Sequence, residues 1–195
     1  MASLAFEYLP RPVRRLAPGN RPSAWKGLVA GAAAGFLGTI AMTQFQNAWR
    51  KLSENKQAGD GGPNQSSSRA RHSEQNENAT MKAAGKLARL AGRELTREQK
   101  GTASPFIHYG FGTAMGALYG MAIEAAPRNV RRQRFPLVGG LFGSALFLGA
   151  DEIAVPAAGL SQGAPSPATH LYGWLSHLVY GVGTEFVRRK IRRHI

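Results

Sequence analysis

The stretch "HYGFGTAMGALYGMAIE", residues 108–124, has a glycine at every fourth position of one helical row: Gly112, Gly116 and Gly120. His108 and Glu124 extend the same row at its two ends. Glycine inside a helix in water costs about 1 kcal/mol relative to alanine, so three in one row need a compensating role. In a lipid bilayer, small residues let helix backbones approach closely, and that contact brings helices together. The row therefore indicates a helix that packs tightly inside a membrane.

The same four-residue glycine spacing recurs in two other apolar stretches. Gly31 and Gly35 repeat it near the N-terminus, and Gly139 and Gly143 repeat it further along the chain. We expect all three rows to pack against neighbouring helices. The alternative is a soluble bundle rich in glycine and alanine, in which the glycines would destabilise the helices without a compensating interaction.

The distribution of positive charge divides the chain. The formal net charge is +14, yet four stretches contain no lysine or arginine: 27–49, 105–127, 135–160 and 166–187. Each stretch is long enough for a bilayer-spanning helix, which needs about 20 residues. No A-x-A-like cleavage site follows the first stretch, so we expect it to remain as an uncleaved helix. The sequence thus predicts an all-α, four-helix integral membrane bundle.

Charge in the connecting segments predicts the orientation. Residues 128–134 hold four arginines, residues 161–165 hold no charge, and both chain ends are basic. The positive-inside rule then places both termini in the cytoplasm and residues 161–165 outside. Loop 50–104 would also lie outside despite eleven basic residues, because long loops cross membranes largely regardless of charge. The domains are accordingly a basic cytoplasmic segment, 1–26, and a membrane domain, 27–195.

The long outer loop combines two kinds of sequence. Residues 53–78 are rich in Ser, Asn, Gln and Gly and are predicted to be flexible. Residues 79–95 form a basic amphipathic helix, with Leu87 and Leu90 on the apolar face and lysines and arginines largely on another. This helix either lies on the membrane surface or caps the bundle.

Several classes of function lack support in the sequence. Without cysteine there is no disulfide framework, thiolate zinc site or cysteine nucleophile. The cations flank apolar spans instead of forming a stripe with interleaved aromatic residues, which argues against nucleic-acid binding. Catalytic motifs such as G-x-S-x-G and H-E-x-x-H are absent. We therefore predict no catalytic residue, metal or cofactor, and the lipid bilayer as the principal partner.

Ionisable residues at membrane depth point to a site in the outer half. Asp151 and Glu152 lie in the third stretch, and His177 lies in the fourth at a matching depth if the two helices are antiparallel. With His108, they are predicted to form a titratable cluster that binds protons or ions. The alternative is a polar clasp that only locks helices together. Pro156 cannot donate to the carbonyl of Glu152, which leaves an acceptor beside the acids.

Two other acids lie near the predicted cytoplasmic ends of their spans. We expect Glu124 and Glu185 to form interfacial ion pairs with nearby arginines, namely Arg128, Arg188 and Arg189. Their predicted role is structural.

Residues 108–127, followed by a short basic loop, "PAAGL" at 156–160 and "HLVYGVGTEFVRRKIR" at 177–192, resemble the YagU-like bacterial inner-membrane proteins. The matching positions are His108, Tyr119, Glu124, Pro127, Pro156, Gly159, His177, Leu178, Glu185, Arg188 and Arg189. Asp151 and Glu152 lie outside the pattern. The resemblance implies a location in the inner membrane and a role in acid resistance, without a defined biochemical activity.

Two functional hypotheses follow from these features. In the first, the chain is a proton- or ion-responsive acid-stress protein that uses the cluster in its outer half. In the second, it is a non-catalytic accessory or scaffold subunit that docks through its glycine rows, either as a homo-oligomer or within a larger membrane complex. The buried acids favour the first hypothesis and the glycine rows favour the second.

Overall fold

The computed structural model describes residues 22–58, 78–160 and 166–195. Throughout these ranges the regular structure is helical, and no strand occurs in them, which confirms the all-α class. Residues 1–21 of the predicted N-terminal segment, most of the stretch predicted to be flexible, and loop 161–165 lie outside the described residues.

Within the described ranges, four long helices form the body of the molecule, and two shorter helices connect or cap them. The helices in chain order are α1 (Ala24–Ala58), α2 (Ala79–Leu90), α3 (Arg97–Ala125), α4 (Arg128–Arg131), α5 (Phe135–Leu146), a π-helical segment (Phe147–Ala154), α6 (Val155–Ala157) and α7 (Pro167–His194). The α5, π-helical and α6 segments run on as one helix, Phe135–Ala157. Helix α1 packs against both α3 and α7, and α5 packs against α7.

The glycine rows of α1 and α3 face each other. A methyl group added to Gly116 would lie 2.5 Å from the Cα of Gly35, and one added to Gly35 would lie 2.8 Å from the Cα of Gly116. The row continues with Gly31, which lies against the backbones of Gly116 and Gly120. Since backbone meets backbone, no flexible side chain could move aside to admit an extra carbon. The two helices therefore approach as closely as their main chains allow.

A second glycine contact joins α5 to α7. A methyl group on Gly139 would lie 2.7 Å from the Cα of Val182, and one on Gly181 would lie 2.8 Å from the Cα of Gly143. The partner glycine, Gly181, belongs to the fourth predicted span, in which no glycine row was predicted. All three predicted rows thus lie in contacts within the chain.

Helices α1, α3 and α7 extend beyond one or both ends of the predicted spans, whereas the third long helix ends at Ala157, before residue 160. Helix α3 begins at Arg97 because Thr96 and Gln99 form a capping box in which each side chain bonds the other's backbone N–H. Helix α7 begins after Ser166, whose hydroxyl accepts from the N–H of Thr169 at 3.3 Å. Helix α2 ends earlier than predicted, because Gly92 adopts φ +73° just after Leu90.

Within the described ranges, two helices are long and apolar enough to cross a membrane, Ala24–Asn55 and Phe135–Ala157. The other two predicted spans lie in α3 and α7, which carry polar first or last turns and several buried polar side chains. Core helices of soluble proteins and N-terminal signal sequences meet the same criterion of length and apolarity. The four-span arrangement therefore stays a prediction.

The glycine contact can be tested by adding one methyl group. Gly116→Ala should lower the free energy of unfolding by about 1–3 kcal/mol, because the added carbon overlaps the α1 backbone. Gly110→Ala is the matched control on the same helix, since a methyl group there meets nothing within 4 Å. Thermal denaturation of both purified variants, followed by far-UV circular dichroism, makes the comparison. Equal melting temperatures would contradict the contact.

Candidate functional site

The third long helix changes its winding where the predicted acids lie. Residues Phe147–Ala154 form a π-helical segment, in which the N–H of Val155 bonds the carbonyl of Ala150 five residues back. Widened turns of this kind occur frequently at functional sites. Pro156 lies two residues after this segment and has no N–H to donate to the helical ladder.

Asp151 and His177 meet between this segment and α7. The Nδ1 atom of His177 lies 3.7 Å from an Asp151 carboxylate oxygen, and it also lies 2.9 Å from the carbonyl oxygen of Gly173. Because a carbonyl only accepts hydrogen bonds, this contact requires Nδ1 to carry a proton. The His177 side chain is 9% exposed, whereas that of Asp151 is 43% exposed. The predicted pair therefore lies together, with the carboxylate at the more open side.

Glu152 turns away from this pair. Its carboxylate lies 2.7 Å from Nδ1 of His170, two turns before His177 on α7. Adjacent residues on a helix project in different directions, so the two acids engage two different histidines. The predicted cluster of four residues thus divides into His108, Asp151 and His177, with Glu152 paired separately.

His108, Asp151 and His177 line one cavity of about 430 Å³. Its walls are mostly apolar, with contributions from α1, α3, α7 and the π-helical segment. The Nε2 atom of His108 is buried and has no hydrogen-bond partner within the described ranges. A mostly apolar cavity of this size with a few converging polar groups is typical of a binding site.

Helix α2 closes one side of the cavity. Ala79, Thr80 and Ala83 contribute to the wall, and the hydroxyls of Thr80 and Ser104 lie 2.5 Å apart. The ammonium group of Lys86 donates to the carbonyl of Ala158 at the end of α6. Helix α2 therefore packs against the end of the bundle, and its predicted contact with a membrane surface stays a prediction.

Tyr180 also belongs to this region, although it was not among the predicted site residues. Its hydroxyl donates to the carbonyl of Gly112 at 2.7 Å, and its ring contributes to the cavity wall. The signal was present, because Tyr180 lies three residues after His177 and therefore on a neighbouring part of the same face.

The opposite end of the bundle holds a buried network of ions around Glu185. This carboxylate is fully buried and accepts from the Tyr119 hydroxyl at 2.9 Å. It also accepts from Arg188 at 2.7 and 3.0 Å and from Arg189 at 2.5 Å. The predicted partners Arg188 and Arg189 are therefore found, with Glu185 buried inside the bundle, and the position of the pairs at a membrane interface stays a prediction.

Glu124 pairs with one predicted partner, Arg188, whose Nη1 lies 3.9 Å from its carboxylate, and its closest partners were not predicted. It accepts from Arg192 at 2.7 and 3.2 Å and from the backbone N–H of Ser23 at 3.0 Å. Arg128 is exposed and makes no ion pair with either glutamate in the part of the chain that the structure describes. The reason is geometric: Pro127 ends α3 and turns Arg128 away, whereas α7 continues past the end of α3 and brings Arg192 to Glu124.

Comparisons with known proteins add no further information about these sites. No known protein family, curated protein or solved structure matches the chain. Among the described residues, no group of three or more histidine or acidic side chains is arranged to hold a metal ion. The resemblance to YagU-like proteins stays a prediction from the residues quoted above.

The buried network predicts a large loss of stability when its central acid is removed. Glu185→Ala should lower the free energy of unfolding by about 3–5 kcal/mol, because two guanidinium groups would lose their buried counter-ion. Glu54→Ala is the control, since its ion pair with Arg50 is exposed and should contribute less than about 1 kcal/mol. Chemical denaturation of both variants compares them, and a loss in Glu185→Ala no larger than in the control would contradict the network.

Proposed function

We propose that the chain is a multi-pass protein of the bacterial inner membrane, folded as a four-helix bundle with both termini in the cytoplasm. The support is the distribution of polar and apolar side chains, which is the reverse of that expected for a protein in water. The largest fully buried side chains are mainly polar: Tyr180, Glu185, Thr39, Thr184 and Ser176. Large apolar side chains are instead exposed along the long helices, including Leu28, Val29, Phe36, Leu37, Leu118, Leu137, Leu141 and Leu148. Such surfaces are a liability in water and are required in lipid.

The tryptophans of α1 support the same proposal. Trp25 and Trp49 are both partly exposed and lie towards opposite ends of the helix. A rise of 1.5 Å per residue separates them by about 36 Å. The hydrocarbon core of a bilayer is about 30 Å thick, so the two rings would sit at its two interfaces, where tryptophan is enriched.

For the activity, we propose that the protein responds to protons or cations through His108, Asp151 and His177. The observation that carries this proposal is their convergence on one cavity, beside which the buried Nε2 of His108 has no hydrogen-bond partner in the described ranges. A role limited to a polar clasp would pair these groups with one another and leave no such space. The resemblance to YagU-like proteins adds acid resistance as the physiological context.

The chemistry of the three residues suits a response to acid. Histidine is the side chain whose charge ordinarily changes between pH 5 and 8, and two histidines line this cavity. Positive charges in one apolar cavity repel each other, and a carboxylate such as that of Asp151 offsets part of the repulsion. A gain of positive charge in the cavity would therefore change its shape or hydration.

The accessory-subunit hypothesis receives less support. Gly31, Gly35, Gly112, Gly116 and Gly120 lie against one another between α1 and α3, and Gly139 and Gly143 lie against α7. These faces are therefore occupied within a single chain. A docking role would require another surface.

The membrane orientation can be tested with single cysteines, because the chain has none of its own. Asn129→Cys lies in the basic turn and Ala168→Cys lies at the opposite end of α7, and both positions are exposed. A membrane-impermeant maleimide should label Ala168→Cys in intact spheroplasts and Asn129→Cys only after permeabilisation. Labelling of both positions in intact spheroplasts, or recovery of the chain in the supernatant after ultracentrifugation without detergent, would contradict the proposal.

The activity can be tested in liposomes that contain an internal pH-sensitive dye. Wild-type protein should accelerate proton entry when the outer medium is acidified, whereas His177→Ala should reduce this rate to that of protein-free liposomes. Asp151→Asn provides a second variant at a more exposed side chain, in case the buried histidine is needed for folding.

His194→Ala serves as the control, since this exposed histidine lies at the far end of α7. It should leave the rate unchanged. Rates in His177→Ala and Asp151→Asn that equal the wild-type rate, with equal protein incorporated, would overturn the proposed activity.

A further inference from the structure

The arginine pocket is a second cavity, at the end of the bundle opposite the histidines. It has a volume of about 230 Å³ and is lined by one acid, Glu124, and by five arginines: Arg131, Arg188, Arg189, Arg192 and Arg193. Along α3, Glu124 lies about 24 Å from His108 at 1.5 Å per residue. The two cavities are therefore separate sites.

Charge in the arginine pocket is unbalanced. Glu185 neutralises part of the charge on Arg188 and Arg189, and Glu124 does so for Arg192. Arg131 and Arg193 have no ion pair in the described ranges. Five guanidinium groups thus share two carboxylates, and the excess of positive charge lies around an open space.

One guanidinium group in the arginine pocket is incompletely satisfied. The Nε atom of Arg131 is buried and has no hydrogen-bond partner within the part of the chain that is described. A buried donor without an acceptor costs about 1–3 kcal/mol, so an acceptor from a bound group would be favourable. The chemistry needed is a compact anion with several oxygen acceptors.

We propose that the arginine pocket binds a phosphate group. The planar fork of a guanidinium matches phosphate oxygens in a bidentate arrangement, and two forks with no carboxylate partner, Arg131 and Arg193, border the space. A volume of about 230 Å³ holds several water molecules at about 30 Å³ each, which leaves room for a phosphate. The group comes either from the headgroup of an anionic phospholipid or from a phosphate in solution.

The two sources differ in what they require. A lipid headgroup would reach the pocket only if this end of the bundle lies at the membrane interface, so that source depends on the membrane location proposed above. Binding of free phosphate does not. Neither source depends on the histidine cavity, so His177→Ala should bind phosphate normally even if the proposed proton response fails.

The test uses the full chain in detergent with added phosphatidylglycerol or phosphatidylcholine, and native mass spectrometry counts the bound lipids. A parallel titration with inorganic phosphate in phosphatidylcholine nanodiscs is followed by calorimetry. Arg131→Gln and Arg193→Gln should each weaken binding by about tenfold or more, which corresponds to one charge-assisted hydrogen bond. Arg132→Gln is the control in the same turn, since this exposed arginine does not line the pocket, and it should bind as the wild type does.

Each outcome decides between the possibilities. Retention of phosphatidylglycerol without binding of inorganic phosphate identifies the lipid headgroup, and binding of inorganic phosphate identifies a free anion. No binding of either ligand, or equal binding by wild type and by both pocket variants, overturns the inference. If Arg131→Gln does not fold, Arg193→Gln alone carries the test, because its side chain is exposed.

Discussion

The close contact of glycine backbones between α1 and α3 is the constraint on which the rest of the structure depends. Where Gly35 meets Gly116, no side chain separates the two helices. Large apolar side chains therefore have no place along this seam and are displaced to the outside of the bundle. Small and polar residues such as Thr39 and Ser176 are buried inside, beside apolar clusters around Tyr180 and Tyr119. One packing rule thus explains both the glycine rows and the apolar exterior.

The same constraint explains why the basic end is held by ions. Helices that touch only through small residues gain little from burying hydrocarbon, so other interactions must fix their relative positions. Glu185 joins neighbouring arginines of α7 to Tyr119 of α3, and Glu124 joins the end of α7 to the first turn of α1. The fully buried position of Glu185 would be costly without these partners, and with them it links separate helices.

The sequence was sufficient to predict the helical class, the glycine rows and the proximity of Asp151 to His177, because each depends on regular helical spacing. The capping box at Thr96 also marks the start of α3 in the sequence. The predicted span began later, at residue 105, because it was defined by the absence of lysine and arginine. Other features depend on geometry that no local pattern encodes. The pairing of Glu152 with His170 follows a π-helical turn, and the pairing of Glu124 with Arg192 follows the path of α7 past the end of α3.

The position of the histidine cavity follows from where regular packing stops. Gly112 is the glycine of the α3 row nearest to the start of that helix. Before it, α3 contains Pro105, whose missing N–H interrupts the helical hydrogen bonds. At the same depth, the third long helix winds through its π-helical segment and then meets Pro156. The histidine cavity lies at this end of the glycine rows, and α2 covers one side of it. Its three titratable groups come from α3, the π-helical segment and α7, and the cavity begins where the glycine-to-glycine packing of α1 and α3 ends.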